Sequence, residues 1–318
     1  MRIVVALGGN ALLPRGKKLT MAHQREAMRA ASASLADVAA DHELVVTHGN
    51  GPQVGLLAMQ AAAYDAQSDV TLDVLDAESA GMIGYVIEQE LGNRLPAGRG
   101  VVTVLTTTLV SPTDPAFAEP TKFVGPVYNL ERARALERLR GWRFRPDGVW
   151  FRRVVPSPAP LAVEPLQPIG VLLDLGYVVI CGGGGGVPVS IGPRGVEGVE
   201  AVVDKDAVSA LIAEQLGADL LVIATDVPAV YEGWGTPHAH PLRLMDLVDL
   251  DMESLPAGSM RPKVEAAARF ARSGGRAVIG SLNQLGELVA GTAGTQVVDS
   301  WACGGDRAAP ASHAAACL

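Results

Sequence analysis

Aromatic rings, cysteines and long apolar runs are all scarce in this sequence. Phe, Trp and Tyr together supply 4% of the 318 residues, against 36 glycines. That balance fits a globular α/β protein with many tight turns. Three cysteines, Cys181, Cys303 and Cys317, are too few for a disulfide framework and show no metal-ligand spacing. No apolar run approaches the roughly 18 residues of a membrane span. Positive charge is not in excess either: the net charge is −8, which argues against nucleic acid as a general partner, because that affinity rests on clustered cations. The first residues enter a strand at once, without the basic and apolar stretches of a signal peptide. The chain is therefore expected to be cytoplasmic. Missing too are Gly-x4-Gly-Lys-Ser/Thr, Gly-x-Ser-x-Gly and His-Glu-x-x-His. None of the six histidines pairs convincingly with a cysteine or carboxylate as a nucleophile-activating set.

What is present is a repeated device of strand followed by glycine turn. Leu44-Val45-Val46 reads as a buried strand, followed by Thr47-His48-Gly49-Asn50-Gly51-Pro52-Gln53-Val54-Gly55. Pro52 suits the first turn of a helix, where its missing N–H would be unpaired anyway. Gly49 and Gly51 let the backbone approach a ligand, and the free N–H groups of the helix start favour an anion. Ile3-Val4-Val5-Ala6-Leu7 followed by Gly8-Gly9-Asn10-Ala11 repeats the pattern. Two such turns predict one anion site built from backbone amides, rather than two unrelated bends.

Strands and helices alternate along most of the chain, as in a mostly parallel sheet covered on both faces. Met28, Ala31, Leu35 and Val38 recur at helical spacing, as do Leu75, Ser79, Met82, Ile83, Val86, Ile87 and Leu91. Gly81 and Gly84 in the second helix are expected to permit close packing, and residues 101–105 read as a strand. The rhythm breaks over residues 115–155, where a short helix (129–140) and a hairpin (142–144 with 150–155, around Pro146-Asp147-Gly148) predict a protruding subdomain. This segment carries nine basic residues against four acidic ones, an excess suited to steering anions, though most of its arginines read as solvated surface. Lys122 differs, since it falls in Pro120-Thr121-Lys122-Phe123-Val124-Gly125-Pro126 and is expected in a rigid loop. The five glycines at 182–186 do not make a dinucleotide fingerprint, because Val187 and Pro188 stand where the third glycine and helix belong. Val203-Asp204-Lys205-Asp206 opens a helix that Gly217 closes. Thr225-Asp226-Val227 ends a strand, the position where ligands collect in an open parallel sheet. Gly258-Ser259-Met260-Arg261-Pro262-Lys263 leads into a last helix ended by Gly274. Residues 301–318 show no period and are expected to be a loose tail.

Lysines in glycine- or proline-set loops, with glycine turns at strand ends, suit phosphoryl transfer, which is mostly positioning and charge neutralisation. Each lysine taken singly is more often surface. Lys205 stands out because Asp204 can cap its helix while Asp206 holds the ammonium.

In order and spacing, Gly8-Gly9-Asn10-Ala11, Thr47 to Gly55, Pro120-Thr121-Lys122, Cys181 to Gly186, Val203 to Asp206, Thr225-Asp226-Val227 and Gly258 to Lys263 resemble the carbamate kinases of the amino-acid kinase superfamily. Asp76-Ala77-Glu78-Ser79-Ala80-Gly81-Met82-Ile83-Gly84-Tyr85 and Arg152-Arg153-Val154-Val155-Pro156-Ser157-Pro158 add to the resemblance, which covers roughly residues 1–300. Ala6 stands where several kinases of the superfamily have a lysine, and Lys122 occupies the position of the compensating lysine from the subdomain. The resemblance implies one domain over 1–300: a three-layer αβα sandwich around an open, mostly parallel sheet. Residues 115–155 would protrude, 1–217 would form the phosphoryl-acceptor half and 218–300 the nucleotide half. It also implies a homodimer, and the reversible reaction of carbamoyl phosphate and ADP with carbamate and ATP. Gly8, Gly9, Asn10, Gly49, Asn50 and Gly51 would hold carbamate and the moving phosphoryl group. Lys122 and Lys205 would neutralise it, Asp206 would orient the lysines, and Lys263 would bind nucleotide phosphates. Thr225, Asp226, Val227, Tyr231 and Met260 would flank the nucleotide. Mg2+ would ride mainly on the nucleotide phosphates, with no dedicated protein metal site. Arg261 departs from the family, which usually has a small residue there, and is expected to point to the surface. Two other readings stand beside this one: a phosphotransferase of the same superfamily with another small acceptor, and a catalytically weak sensor.

Overall fold

Short runs of Val, Ile, Leu and Ala without polar alternation fold here as strands buried on both faces. The computed structural model describes residues 1–13, 17–64, 70–248, 250, 252, 255 and 260–300. The expected loose tail at 301–318, and Gly258 and Ser259 of the last loop motif, lie outside the described residues.

Eight strands form the central sheet: β1 (Arg2–Leu7), β2 (Glu43–His48), β3 (Val101–Thr103), β4 (Val178–Ile180), β5 (Leu220–Thr225), β6 (Leu244–Asp246), β7 (Arg276–Ser281) and β8 (Thr295–Val298). Their spatial order is β6-β8-β7-β5-β1-β2-β4-β3. Every neighbouring pair is parallel except β7 with β8. Alternate side chains of one strand enter opposite cores. Val4 and Ala6 of β1 join Val208, Leu211 and Ile212 of helix Lys205–Gln215 and Val264, Ala267 and Phe270 of helix Arg261–Arg272. Ile3, Val5 and Leu7 join Met28 and Leu35 of helix Met21–Asp41 and Ile83, Ile87 and Leu91 of helix Leu72–Gly92. These are three layers, helix, sheet and helix, as expected. Each fully buried aliphatic side chain contributes about 1.5–3 kcal/mol, so the two apolar faces rather than the turns hold the sheet together.

Of three smaller sheets among the described residues, one is only the pair Tyr231–Glu232 with His240–Pro241, and the other two were not foreseen in this form. Gly195–Gly198, Val187–Gly192, Thr107–Val110 and Pro160–Glu164 pair, in that order, as a four-stranded sheet. Lys122–Tyr128, Trp150–Val155 and Arg143–Asp147 form a three-stranded sheet with helix Leu130–Arg140 beside it. Lys122 thus starts a strand, paired with Val155, and does not lie in a loop. The reason is that Pro120 precedes the strand rather than interrupting it, and Pro126 falls at a register shift between Val124 and Val127. Several arginines of this segment hold its own rings and acids: Arg153 lies 4.1 Å from the Trp142 ring, and Arg152 pairs with Asp147 at 2.6 Å.

The sheet meets the body of the molecule where Gly125 packs on Gly55 of helix Gly51–Tyr64. A Cβ on Gly55 would lie 2.1 Å from the Gly125 Cα, so only bare backbone fits between them. Gly84 is similarly constrained by Thr103, whereas a Cβ on Gly81 would meet nothing within 4 Å. Close packing was expected of both helix glycines and is required at one.

Candidate active site

Adjacent parallel strands bring their carboxyl ends together, and four such ends line one cleft of about 810 Å³. Leu7 of β1 pairs with His48 of β2, so the turns at Gly8-Gly9 and Gly49-Asn50-Gly51 stand side by side. On the other flank Leu7 pairs with Ala224 of β5, which brings Thr225-Asp226-Val227 next to Gly8. Ser281, Leu282 and Asn283 follow β7 at the same rim. Neither Gly9 nor Gly51 has an atom within 4 Å of where a Cβ would stand. Both turns therefore have open space where a side chain would stand, and helix Gly51–Tyr64 begins there, where the first N–H groups have no intrahelical carbonyl to bond. Asn10 belongs to the short helix Gly9–Leu12; its side chain lies outside the described residues.

Three lysines from three separate elements converge on this cleft. Lys122 comes from the small sheet, Lys205 from the start of helix Lys205–Gln215, and Lys263 from the first turn of helix Arg261–Arg272. Two aspartates hold them. Asp204 Oδ2 accepts from Lys122 Nζ at 2.5 Å, while its Oδ1 caps the helix by accepting from the backbone N–H groups of Asp206 and Ala207. Asp206 takes Lys205 on one carboxylate oxygen and Lys263 on the other, the latter at 2.9 Å. Burial works against charge on both acids, but the lysines outweigh it, and both carboxyls titrate below the usual range. Burial likewise opposes the Lys263 charge; Asp206 overrides it and holds that ammonium above its ordinary value. Lys205 is brought below the usual lysine value by burial, with repulsion from Lys263 adding to it against the pull of Asp206. Its stem lies along the Gly49-Asn50-Gly51 turn, since a Cβ on Gly49 would sit 3.2 Å from Lys205 Cδ. The backbone beneath is tied down by Ser209, whose hydroxyl donates to the Lys205 carbonyl and meets Thr47 Oγ1 at 2.6 Å.

The Amino acid kinase family profile matches residues 1–281. The chain belongs to that family. Curated carbamate kinases of the family are its relatives: that of Rhizobium meliloti (strain 1021) is 51% identical over 306 residues, covering 95% of this chain and 94% of the relative. The carbamate kinase of Haemophilus influenzae is 48% identical over 93% of this chain and 96% of its own length. Among solved structures, carbamate kinase from Giardia lamblia bound to AMP-PNP superposes with a TM-score of 0.84 at 35% identity, covering 94% of this chain and 98% of that one.

In this amino acid kinase, Gly8, Gly9, Gly49, Asn50, Gly51, Lys122, Lys205, Asp206, Thr225, Asp226, Val227, Tyr231, Met260 and Lys263 all border the one cleft. Asn50 does so with its backbone: its side-chain amide turns inward and donates to Asp76 and Ser79. Arg261 stays out of the cleft lining, but it is half-buried rather than surface-pointing, and its guanidinium donates to the Leu255 carbonyl at 3.3 Å. Met260 and Pro262 face the cleft on either side of it, which turns the arginine away from Lys263.

Sequence reasoning passed over Phe123, Gly184, Trp234 and Asn283, which also border the cleft. Trp234 lies edge-on to Tyr231, with ring centroids 5.3 Å apart. The glycine run at 182–186 has its own reason. Gly184 has φ of 70°, and a Cβ there would stand 2.2 Å from Asn50 Nδ2. The run is a backbone lid over the buried side chains of the Gly49–Gly51 turn, and its signal in sequence is only the repetition of glycine.

Proposed function

We propose that the cleft carries out carbamate kinase chemistry, the reversible transfer of a phosphoryl group between carbamoyl phosphate with ADP and carbamate with ATP. The observation that carries this is the convergence of Lys122, Lys205 and Lys263 on the paired turns after β1 and β2. In the ATP-forming direction an ADP β-phosphate oxygen attacks phosphorus, the bond from phosphorus to the carbamate oxygen breaks, and carbamate leaves as an anion. No proton need move, so catalysis rests on alignment and on neutralising oxygens in flight. The amides at Gly8-Gly9 and Gly49-Asn50-Gly51 would hold the carbamate end, a small anion better served by fixed donors than by an apolar pocket. Lys122 and Lys205 would neutralise the moving group, and Lys263 the nucleotide phosphates. Asp204 and Asp206 would keep three like charges in register. Thr225, Asp226, Val227, Tyr231 and Met260 would border the nucleotide, and the Giardia lamblia relative that binds AMP-PNP supports that side of the reading.

A divalent cation, Mg2+ in this reading, supplies further neutralisation of the nucleotide phosphates. Among the described residues no group of three or more His, Cys, Asp or Glu is arranged to hold a metal. Two cleft carboxylates, Asp204 and Asp206, are taken by lysines. The ion would ride mainly on the nucleotide phosphates with several waters and few protein ligands.

A coupled assay offering carbamoyl phosphate and ADP tests the reading: ATP should form, and absence of ATP at millimolar substrate would favour another acceptor. Lys205→Ala should lower kcat by about 10²–10³, roughly 2.7–4 kcal/mol of transition-state stabilisation. A loss below about threefold would put Lys205 outside the chemistry.

A further inference from the structure

Behind the Gly49-Asn50-Gly51 turn, on the side away from the cleft, lies an acid that the reaction above does not use. Asp76, on helix Leu72–Gly92, is fully buried. Its Oδ1 accepts from Asn50 Nδ2 at 2.7 Å, and Asn50 Nδ2 also donates to Ser79 Oγ at 2.8 Å. Ser79 in turn donates to the Asp76 carbonyl. The other oxygen, Asp76 Oδ2, is enclosed and has no hydrogen-bond partner. An ionised carboxylate in such a place would want a cation, and the charged neighbours that act on it, Asp73 on its own helix and Glu200 from the loop before Lys205, are acids. Glu200 is engaged elsewhere, accepting from the Leu72 N–H at 2.6 Å and pairing with Arg153 at 3.6 Å. His48, the titratable group nearest from β2, packs against Gly183 and is kept neutral by burial. Burial pushes the Asp76 carboxyl up, to about 8, against the pull of the Asn50 hydrogen bond and with help from Asp73 and Glu200.

We propose that Asp76 is a positioning residue that works as a neutral carboxylic acid: it pins the Asn50 amide so that the Gly49–Gly51 backbone meets the substrate anion without a negative charge standing behind it. This rests on the function proposed above. Two features make the arrangement more than core packing. A Cβ at Gly184 would stand 2.2 Å from Asn50 Nδ2, so the bare backbone there leaves space for the amide that reaches Asp76, and the bonds to Asp76 and Ser79 anchor the side chain of the very residue whose neighbours cradle the ligand. Loss of the proton would add a charge repelling the anion across the turn.

The test compares wild type, Asp76→Asn and Asp76→Ala with carbamoyl phosphate and ADP between about pH 6 and 9.5. In wild type, KM for carbamoyl phosphate should climb above about pH 8, with kcat changing less. Asp76→Asn imitates the protonated acid, so it should rescue neutral-pH KM to within about twofold and abolish the alkaline climb, whereas Asp76→Ala should raise KM about tenfold at every pH. Infrared difference spectra of wild type against Asp76→Asn should show the carbonyl stretch of a protonated acid at neutral pH, fading by about pH 9.5. An alkaline climb that persists in Asp76→Asn, an asparagine variant as damaged as the alanine one, or a missing acid band would each overturn the proposal. Should Asp76→Asn fail to fold, the pH-difference spectrum of wild type alone reads the same band. Failure of wild type to make ATP would count against the proposed function, while the infrared band decides the protonation of Asp76 independently of turnover.

Discussion

His48 and Asp206 show opposite ways of burying an ionisable side chain. Asp206 is buried with both oxygens bonded to ammonium groups, and it stays charged. His48 ends β2 with its ring bonded to the Gly49 carbonyl; burial, against that hydrogen bond and with Lys205 adding repulsion, lowers its pKa to about 4. The two therefore respond differently to acid. A folded pKa below the unfolded 6.5 means that the unfolded chain binds the extra proton, so the stability due to neutral His48 is complete above about pH 6.5 and is lost as pH falls toward 4. Asp204 and Asp206 keep theirs until pH falls into the ordinary carboxylate range, near 3.8, where the unfolded chain begins to take up protons, and lose it from there downward because their folded pKa values are depressed. Thermal melts from neutral pH down to about 4 should show wild type declining across that window, and His48→Asn declining less steeply. Equal slopes would remove His48 from the acid response.

At the scale of elements, the strand that carries Lys122 meets the body through a bare backbone contact beside the buried Val124. Lys122 lies three residues before Gly125 in Lys122–Tyr128, and Gly125 rests on Gly55. Adding one methyl group at Gly55 forces helix and sheet apart, an overpacking cost of about 1–3 kcal/mol. Gly55→Ala should therefore lower kcat at least about tenfold by withdrawing the Lys122 ammonium from Asp204 and the cleft, while the eight-stranded sheet still folds. Gly81→Ala is the matched control: it sits in helix Leu72–Gly92 with open space at its Cβ, and it should leave kcat unchanged while adding about 0.5–1 kcal/mol of stability. Steady-state kinetics with parallel thermal melts separate the two outcomes, and a Gly55→Ala enzyme of normal kcat would show that the contact does not aim Lys122.

The whole molecule concentrates its chemistry along one edge of the sheet. In a parallel sheet the strand ends point their free backbone groups and the following helix starts the same way, so ligands gather there. Here four consecutive strands, β2, β1, β5 and β7, deliver their turns to the same rim. Among the described residues no helix is long and apolar enough to cross a membrane. A homodimer is proposed for the molecule in solution; sedimentation should return about twice the chain mass of 33.0 kDa, and a single-chain mass would refute it.

Local chemistry wrote much of this architecture into the sequence. Apolar runs marked β1, β2 and β5, glycine pairs marked the turns after β1 and β2, and Asp204-Lys205-Asp206 marked a capped helix with its ammonium held by the next residue. All of these depend on residues a few positions apart, where spacing carries the information. The tertiary structure alone decided that β1 lies between β2 and β5, and hence that two turns some forty residues apart make one cradle. It decided as well that Asp206 joins Lys205 to Lys263, that Lys122 begins a strand, and that Asn50 faces inward to Asp76. Strand order and buried pairing arise from contacts between residues distant in the chain, and a one-dimensional pattern holds no record of which apolar face meets which.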